Sequence, residues 1–235
     1  MKKIGIIQPG RIGDIIIILP AIKHLKKDDT QIFWPIYEQY IWMFTDVIDY
    51  VTFIPVKYDV YNVVKECNNI LKNIYKCDEI IDTAATFPDS TATKEYVDNG
   101  DGWKEPFDVF KYKKLNIDIA CKYGLKNCLN RNYKKEHELY TQLVKNEKYA
   151  VAFLSCSNGK YNVQFDVQDG QLIEVEESYN IFHWIEILEN ANTIITLNSG
   201  PLCLVEQLNL SKPKKILFKI PNGKLPLLQT KWDII

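Results

Sequence analysis

The stretch from Lys3 to Lys27 narrows the fold class more than any other part of the chain. Lys3-Ile-Gly-Ile-Ile-Gln8 is a short β-rich run closed by Pro9-Gly10, and from Gly13 the pattern becomes Asp14-Ile-Ile-Ile-Ile-Leu-Pro-Ala-Ile-Lys-His-Leu-Lys-Lys27. Strand, tight glycine turn, then helix is the reading. Gln31 to Tyr37 and Tyr50 to Val56 are further strand candidates, separated by an aromatic, helix-like stretch from Glu38 to Phe44. Asp59 to Tyr75 has apolar residues at helical spacing, and Glu79-Ile-Ile-Asp82 reads as another buried strand. Strands alternating with helices predict a parallel α/β sheet.

The pattern then pauses. Ala84 to Gly102 is rich in Thr, Asp, Asn and Gly and reads as a surface loop, Phe107 to Tyr123 as one helix, and Lys126 to Lys148 as a polar segment holding the domain boundary. A second α/β unit opens at Tyr149-Ala-Val-Ala-Phe-Leu154 and runs into the small polar loop Ser155 to Lys160. Asn162 to Glu176 predicts a hairpin around Asp169-Gly170. A helix (181–190), a strand (193–197), the turn Asn198-Ser-Gly-Pro201, a helix (202–208) and a strand (215–220) complete the expected order. The expected domains are 1–145 and 146–235.

Composition enters as a filter. The chain has 235 residues, 46% hydrophobic and 25% charged, with 29 Lys+Arg against 30 Asp+Glu. This excludes disorder and coiled coil, and the net charge of -1 lacks the broad basic footprint of a nucleic-acid or anionic-lipid binder. The apolar run Ile15 to Pro20 is too short to span a bilayer and no signal-peptide pattern precedes it, so a cytoplasmic protein is expected. Six cysteines without a CxxC pair, with three histidines, predict free thiols and no metal site. The basic residues include only two arginines, Arg11 and Arg131, and the abundance of Ile, Asn and Lys reads as AT-rich coding bias.

Two junctions have the residues for chemistry. Pro9-Gly-Arg-Ile-Gly-Asp14 sets Gly10, Arg11, Gly13 and Asp14 where the first strand meets the first helix, the place where open α/β sheets bind ligands. Its glycine spacing matches neither the dinucleotide fingerprint nor the P-loop. Asp14 reads either as a helix cap or as a carboxylate base at the mouth of a cleft. At the second junction Asn198, Ser199, Gly200 and Pro201 offer amides and a hydroxyl to a phosphate, or form an ordinary capped turn. Lys160 is a candidate point charge for a leaving phosphate, with Ser155 at the start of its loop. Phe33, Trp34, Tyr37, Tyr40, Trp42 and Phe44 suit core packing, or the stacking of a sugar or base.

With those residues in view, the chain resembles glycosyltransferase family 9, the ADP-heptose:lipopolysaccharide heptosyltransferases. Lys3 to Lys27 is similar to the family's first strand, Gly-Asp turn and first helix. Ile181 to Leu208, above all Leu-Glu-Asn-Ala-Asn-Thr-Ile-Ile-Thr-Leu-Asn-Ser-Gly-Pro-Leu, resembles its donor-site segment. The resemblance implies a GT-B-like α/β fold: two Rossmann-like domains with parallel sheets facing a central cleft, the second reduced. It implies a nucleoside-diphosphate sugar as donor substrate, a saccharide or other hydroxyl acceptor, no cofactor, and metal-independent transfer with inversion. The family's proposed general base falls on Asp14. Its diphosphate contacts fall on the Ser199 and Gly200 amides, and its phosphate-binding lysine on Lys160.

The family pattern Asp-Ser-Gly-Pro-x-His reads Asn198-Ser-Gly-Pro-Leu-Cys203 here, so the acid and the histidine are replaced. Two rivals follow. One is a GT-B enzyme that glycosylates a modified, hydroxymethylated DNA base in a phage, which the coding bias suits and the near-neutral charge disfavours. The other is a nucleotide-sugar or glycan binding module that has lost catalysis.

Overall fold

The computed structural model describes residues 1–97, 105–156, 159–163, 170–176, 178–220 and 225–235. Two compact units emerge, Met1–Leu129 and Asn130–Ile235. Each is a Rossmann-like α/β unit around its own parallel sheet.

In the first unit β1 (Lys2–Ile7), β2 (Thr30–Tyr37), β3 (Thr52–Val56) and β4 (Glu79–Asp82) pair in the order β3-β2-β1-β4, all parallel. β1 and β2 read as near-continuous apolar runs because both faces of the sheet are covered. On one face Ile7, Phe33 and Val56 pack against Val63, Val64, Cys67 and Leu71 of α3 (Val63–Asn69) and the π-helical turn that continues it (Ile70–Ile74). Gly5 permits that approach, since a Cβ there would stand 2.9 Å from Leu71 Cδ1. By the two-residue period Ile4, Ile6, Ile32 and Trp34 face the other way, and they are buried too.

Helix α1 (Ile12–Leu25) is buried nearly all round through Ile22, which explains its run of four isoleucines. It packs against α5 (Phe107–Lys114) and a 3-10 helix (Ile119–Cys128). Pro20 inside α1 has no N–H for the carbonyl one turn back. In the neighbouring turn the hydroxyls of Tyr112 and Tyr50 donate to Ile17 O (3.1 Å) and Leu19 O (3.4 Å), and burial pushes both phenols well above their usual range. Helix α2 (Glu38–Thr45) completes the expected aromatic stretch.

Two expectations in this unit need correction. Ala84 to Gly102 is not all loop, because Thr91–Val97 forms helix α4; residues 98–102 lie outside the described residues. The helix is capped from a distance: Asp82 at the end of β4 accepts from Ser90 Oγ (2.7 Å), Thr91 N (3.1 Å) and Thr91 Oγ1 (3.0 Å). Phe107 to Tyr123 is not one helix either. It breaks after Lys114, where Asn116 adopts φ 54° and Ile117 N returns to Tyr112 O (3.0 Å), a left-handed helix stop that asparagine tolerates.

The second unit begins at Asn130, inside the polar segment 126–148 expected to hold the boundary, and its α6 (Tyr133–Leu143) packs on the 3-10 turn Ile181–Trp184 and on α7 (Ile185–Asn190). Its sheet runs β11 (Asp233–Ile234), β10 (Lys214–Phe218), β9 (Thr193–Leu197), β5 (Tyr149–Phe153), β8 (Gln171–Glu174), again parallel. A separate antiparallel pair joins β6 (Ser155–Cys156) to β7 (Gly159–Lys160). Of the expected hairpin from Asn162 to Glu176, 161–163 carry no strand, 164–169 lie outside the described residues, and β8 joins the sheet beside β5 in parallel. Asp169, at its expected turn, lies outside the described residues. Among the described residues no helix is long and apolar enough to cross a membrane.

Candidate functional site

Strand order marks where each sheet can receive a ligand. In the first unit the chain moves outward from β1 to β3 and then returns to place β4 on the other side of β1. In the second, β8 lies on one side of β5 and β9 on the other. Ligands of open α/β sheets bind at such reversals, beyond the carboxyl ends of the strands. The reversal in the first unit carries Gln8 to Asp14 and Thr83; that in the second carries Ser155 and Asn198 to Pro201.

At the first reversal the turn is fixed from several sides. Pro9 O accepts from Tyr37 N (2.8 Å), Gln8 O accepts from the Trp34 indole (3.0 Å), and the Gln8 amide nitrogen donates to Gly10 O. Gly10 is required by close approach, since a Cβ there would stand 2.5 Å from two carbons of the Tyr37 ring. Arg11 is exposed, Gly13 is buried, and Asp14 lies in the first turn of α1, where a negative charge complements the helix dipole. The Asp14 side chain does not cap the helix. Its Oδ1 lies 3.2 Å from Nζ of Lys111 on α5, and no other group among the described residues bonds this carboxylate.

Sequence reasoning missed Lys111. Its side chain is fully buried and its ammonium reaches three acceptors: Asp14 Oδ1, Thr83 O (2.8 Å) and the side-chain oxygen of Gln8. Three donors meet three acceptors, which is what a charge removed from water requires. A signal was present, because Lys111 follows Phe107 by four residues and so shares its helical face. Beside this network the Tyr37 hydroxyl is buried without a partner, and burial pushes it well above the usual phenol range. The other aromatics divide: Phe33, Trp34 and Phe44 are core, Tyr40 is half-buried and Trp42 is exposed.

At the second reversal Ser199 is the N-cap residue of α8 (Gly200–Leu208), with Pro201 in the first turn. The Ser199 amide is already used, donating to Leu197 O (2.8 Å), so the amide open at the head of the helix is that of Gly200. Asn198 Oδ1 accepts from Ile220 N (2.7 Å) and ties the end of β10 to this turn. Asn198 Nδ2 and Ser199 Oγ are buried atoms without partners among the described residues. Ser155 follows β5, the strand next to β9.

Lys160 goes elsewhere. On β7 it is exposed and pairs with Glu174 of β8, on the side of β5 away from β9. The pair lines an open cavity of about 540 Å³ with Leu154, Tyr161, Val163 and Leu172. Among the described residues no group of His, Cys, Asp and Glu could hold a metal ion, and all six cysteines are free thiols.

No protein-family model matches the sequence, and no curated protein matches it significantly. Solved structures do match. A family 9 glycosyl transferase from Veillonella parvula DSM 2008 superposes with a TM-score of 0.62 at 11% identity, over 100% of this chain and 85% of that one. The E. coli ADP-heptose LPS heptosyltransferase II gives 0.55 at 12% identity, over 100% and 90%. E. coli heptosyltransferase WaaC with ADP-2-deoxy-2-fluoro heptose gives 0.51 at 11%, over 100% and 93%. At such identities the likeness is one of fold, and this chain therefore has the GT-B fold of the family 9 glycosyltransferases, two Rossmann-like α/β units in succession.

Proposed function

We propose that the protein is a glycosyltransferase that moves a hexose or heptose from a nucleoside diphosphate to a hydroxyl of a saccharide acceptor, with inversion and without a metal. The observation that carries this reading is Asp14: a carboxylate at the strand-order reversal, one oxygen fixed by a buried lysine and the other unbonded. A general base needs that fixed position and a free oxygen. Asp14 takes the proton of the acceptor hydroxyl as its oxygen attacks the anomeric carbon from the face opposite the diphosphate. The bond from that carbon to the phosphate oxygen breaks, and its electron pair leaves with the diphosphate.

The second unit supplies the leaving-group contacts in this reading. The Gly200 amide, the α8 dipole, Ser199 Oγ and Asn198 Nδ2 are donors suited to an anion.

Thermal unfolding in the presence of UDP, GDP, ADP, CDP or TDP, with and without magnesium, tests the donor half. One diphosphate at 100 times its Kd adds about 2.7 kcal/mol without magnesium. Asp14→Asn keeps that shift and loses transfer. Absence of any shift, or turnover retained in Asp14→Asn, would overturn the assignment.

A further inference from the structure

Gln8 follows β1 and is fully buried, so both polar atoms of its side-chain amide need partners inside the protein. Each has one. The nitrogen donates to Gly10 O, and the oxygen accepts from Nζ of Lys111. Reversed, the amide would set its N–H groups against an ammonium and its oxygen against a carbonyl, so the network admits one orientation. The backbone beside it is pinned as well, since Gln8 O accepts from the Trp34 indole (3.0 Å). One side chain thus ties the turn that leads to Asp14 to the ammonium that holds Asp14.

The Lys111 ammonium divides its three N–H groups among three elements. Gln8 Oε1 lies at the end of β1, Thr83 O (2.8 Å) at the end of β4, and Asp14 Oδ1 (3.2 Å) in the first turn of α1. Without the Gln8 oxygen, one N–H of a charged and fully buried group would have to find another acceptor, since leaving it unpaired is costly. Asp14 Oδ2 is the acceptor within reach, because it belongs to a carboxylate already in contact and has no partner among the described residues. Capture of both oxygens would hold Asp14 firmly and take the lone pairs that a base must offer. Glutamine also accepts without a charge of its own, so the positive charge of Lys111 stays with Asp14.

We infer that Gln8 is a positioning residue: it occupies the third N–H of Lys111 and so keeps Asp14 Oδ2 free for the acceptor hydroxyl. The inference rests on the proposed role of Asp14 and adds how that carboxylate stays open.

Crystal structures of the full chain as wild type, Gln8→Met, Gln8→Leu and Gln8→Glu test it. Methionine matches glutamine in length and fills the space that a substituting water would need. In the two apolar variants Lys111 Nζ comes within hydrogen-bond distance of both Asp14 oxygens. In Gln8→Glu, which restores the acceptor oxygen, Oδ2 stays free. Oδ2 left free in a folded apolar variant, or engaged by Lys111 in Gln8→Glu, overturns the inference. With the nucleotide sugar that the wild type turns over, Gln8→Met lowers kcat by about tenfold or more and leaves the donor KM within about twofold. An unchanged kcat with Oδ2 engaged overturns it too. Turnover that survives Asp14→Asn removes the base reading instead, and the crystal structures still decide whether Gln8 keeps Oδ2 free.

Discussion

Lys111 holds its charge with no solvent contact because its three N–H groups meet Asp14, Gln8 and Thr83. Lys111→Met would leave a carboxylate and two oxygens facing a methyl group, and stability should fall by about 3 kcal/mol. Asp14→Asn keeps one oxygen for the ammonium and should cost less. The double variant should cost less than the sum of the two, with a coupling of about 1 kcal/mol or more, and urea unfolding of all four proteins checks it. Strict additivity would show that the pair contributes nothing as a pair. Asp14 was legible in the sequence because a Gly-Asp turn after a strand is a local pattern. Its partner was not, because Lys111 lies in Phe-Lys-Tyr-Lys-Lys114, where adjacent lysines look alike until tertiary packing decides which one points inward.

Elements show the same division between local and distant causes. Strands β1 to β5 and β9 fall within a residue or two of where the local sequence puts them, since each is built on a short apolar run, down to the Ile-Ile pair between charges in β4. Helix α4 has a local cap, Ser90 Oγ accepting from Ala92 N (3.0 Å), but it is also held by Asp82, nine residues before Thr91, a partner that the local pattern does not show. The C-terminal segment is held in a similar way from a distance. Glu206 on α8 is fully buried, and its Oε1 accepts from Gln229 N (2.8 Å) and Thr230 N (3.1 Å) while Oε2 accepts from Trp232 Nε1 (2.7 Å) and Thr230 Oγ1. Burial pushes its carboxyl up, but these bonds outweigh burial and hold it below the usual range.

A lowered folded pKa means that Glu206 contributes stability that is fully present above the ordinary carboxylate range and is lost as pH falls below that range through the folded value. The protection of amides in residues 229–234 against hydrogen exchange, relative to the intrinsic rate at each pH, should therefore fall on acidification through that window. Glu206→Gln should accelerate it already at neutral pH and cost about 1–3 kcal/mol, because an amide nitrogen cannot accept from the Trp232 indole. Equal protection in the variant at neutral pH would remove Glu206 as the anchor of this segment.

At the scale of the molecule, each unit has its own sheet and its own buried residues. In the second, Ala150, Ala152, Leu154 and Ile195 form one cluster with Ile216 and Phe218 packed against it, and Trp184, Ile185 and Leu188 are fully buried, the Trp184 ring edge-on to Phe153. Arg131 ties the start of that unit to its helices: it pairs with Glu136 on α6 (Nε to Oε1, 2.9 Å) and with Glu189 on α7 (3.0 Å and 3.1 Å). Residues 130–235 expressed alone should thus unfold in one cooperative thermal transition, whereas residues 146–235, which lack Arg131 and α6, should not. Calorimetry of both fragments decides, and a broad, non-cooperative melt of the longer one would refute an independent unit.

Periodicity and turn chemistry suffice for the α/β class, for most strands, and for the two strand-to-helix junctions, because those signals act between residues a few positions apart. The pairing of β8 with β5, the turn of Lys160 toward Glu174 and the burial of Lys111 against Asp14 depend on partners 14 or more residues away along the chain. Local sequence cannot specify these, since each is settled by which groups remain unsatisfied once the sheet of its own unit has packed.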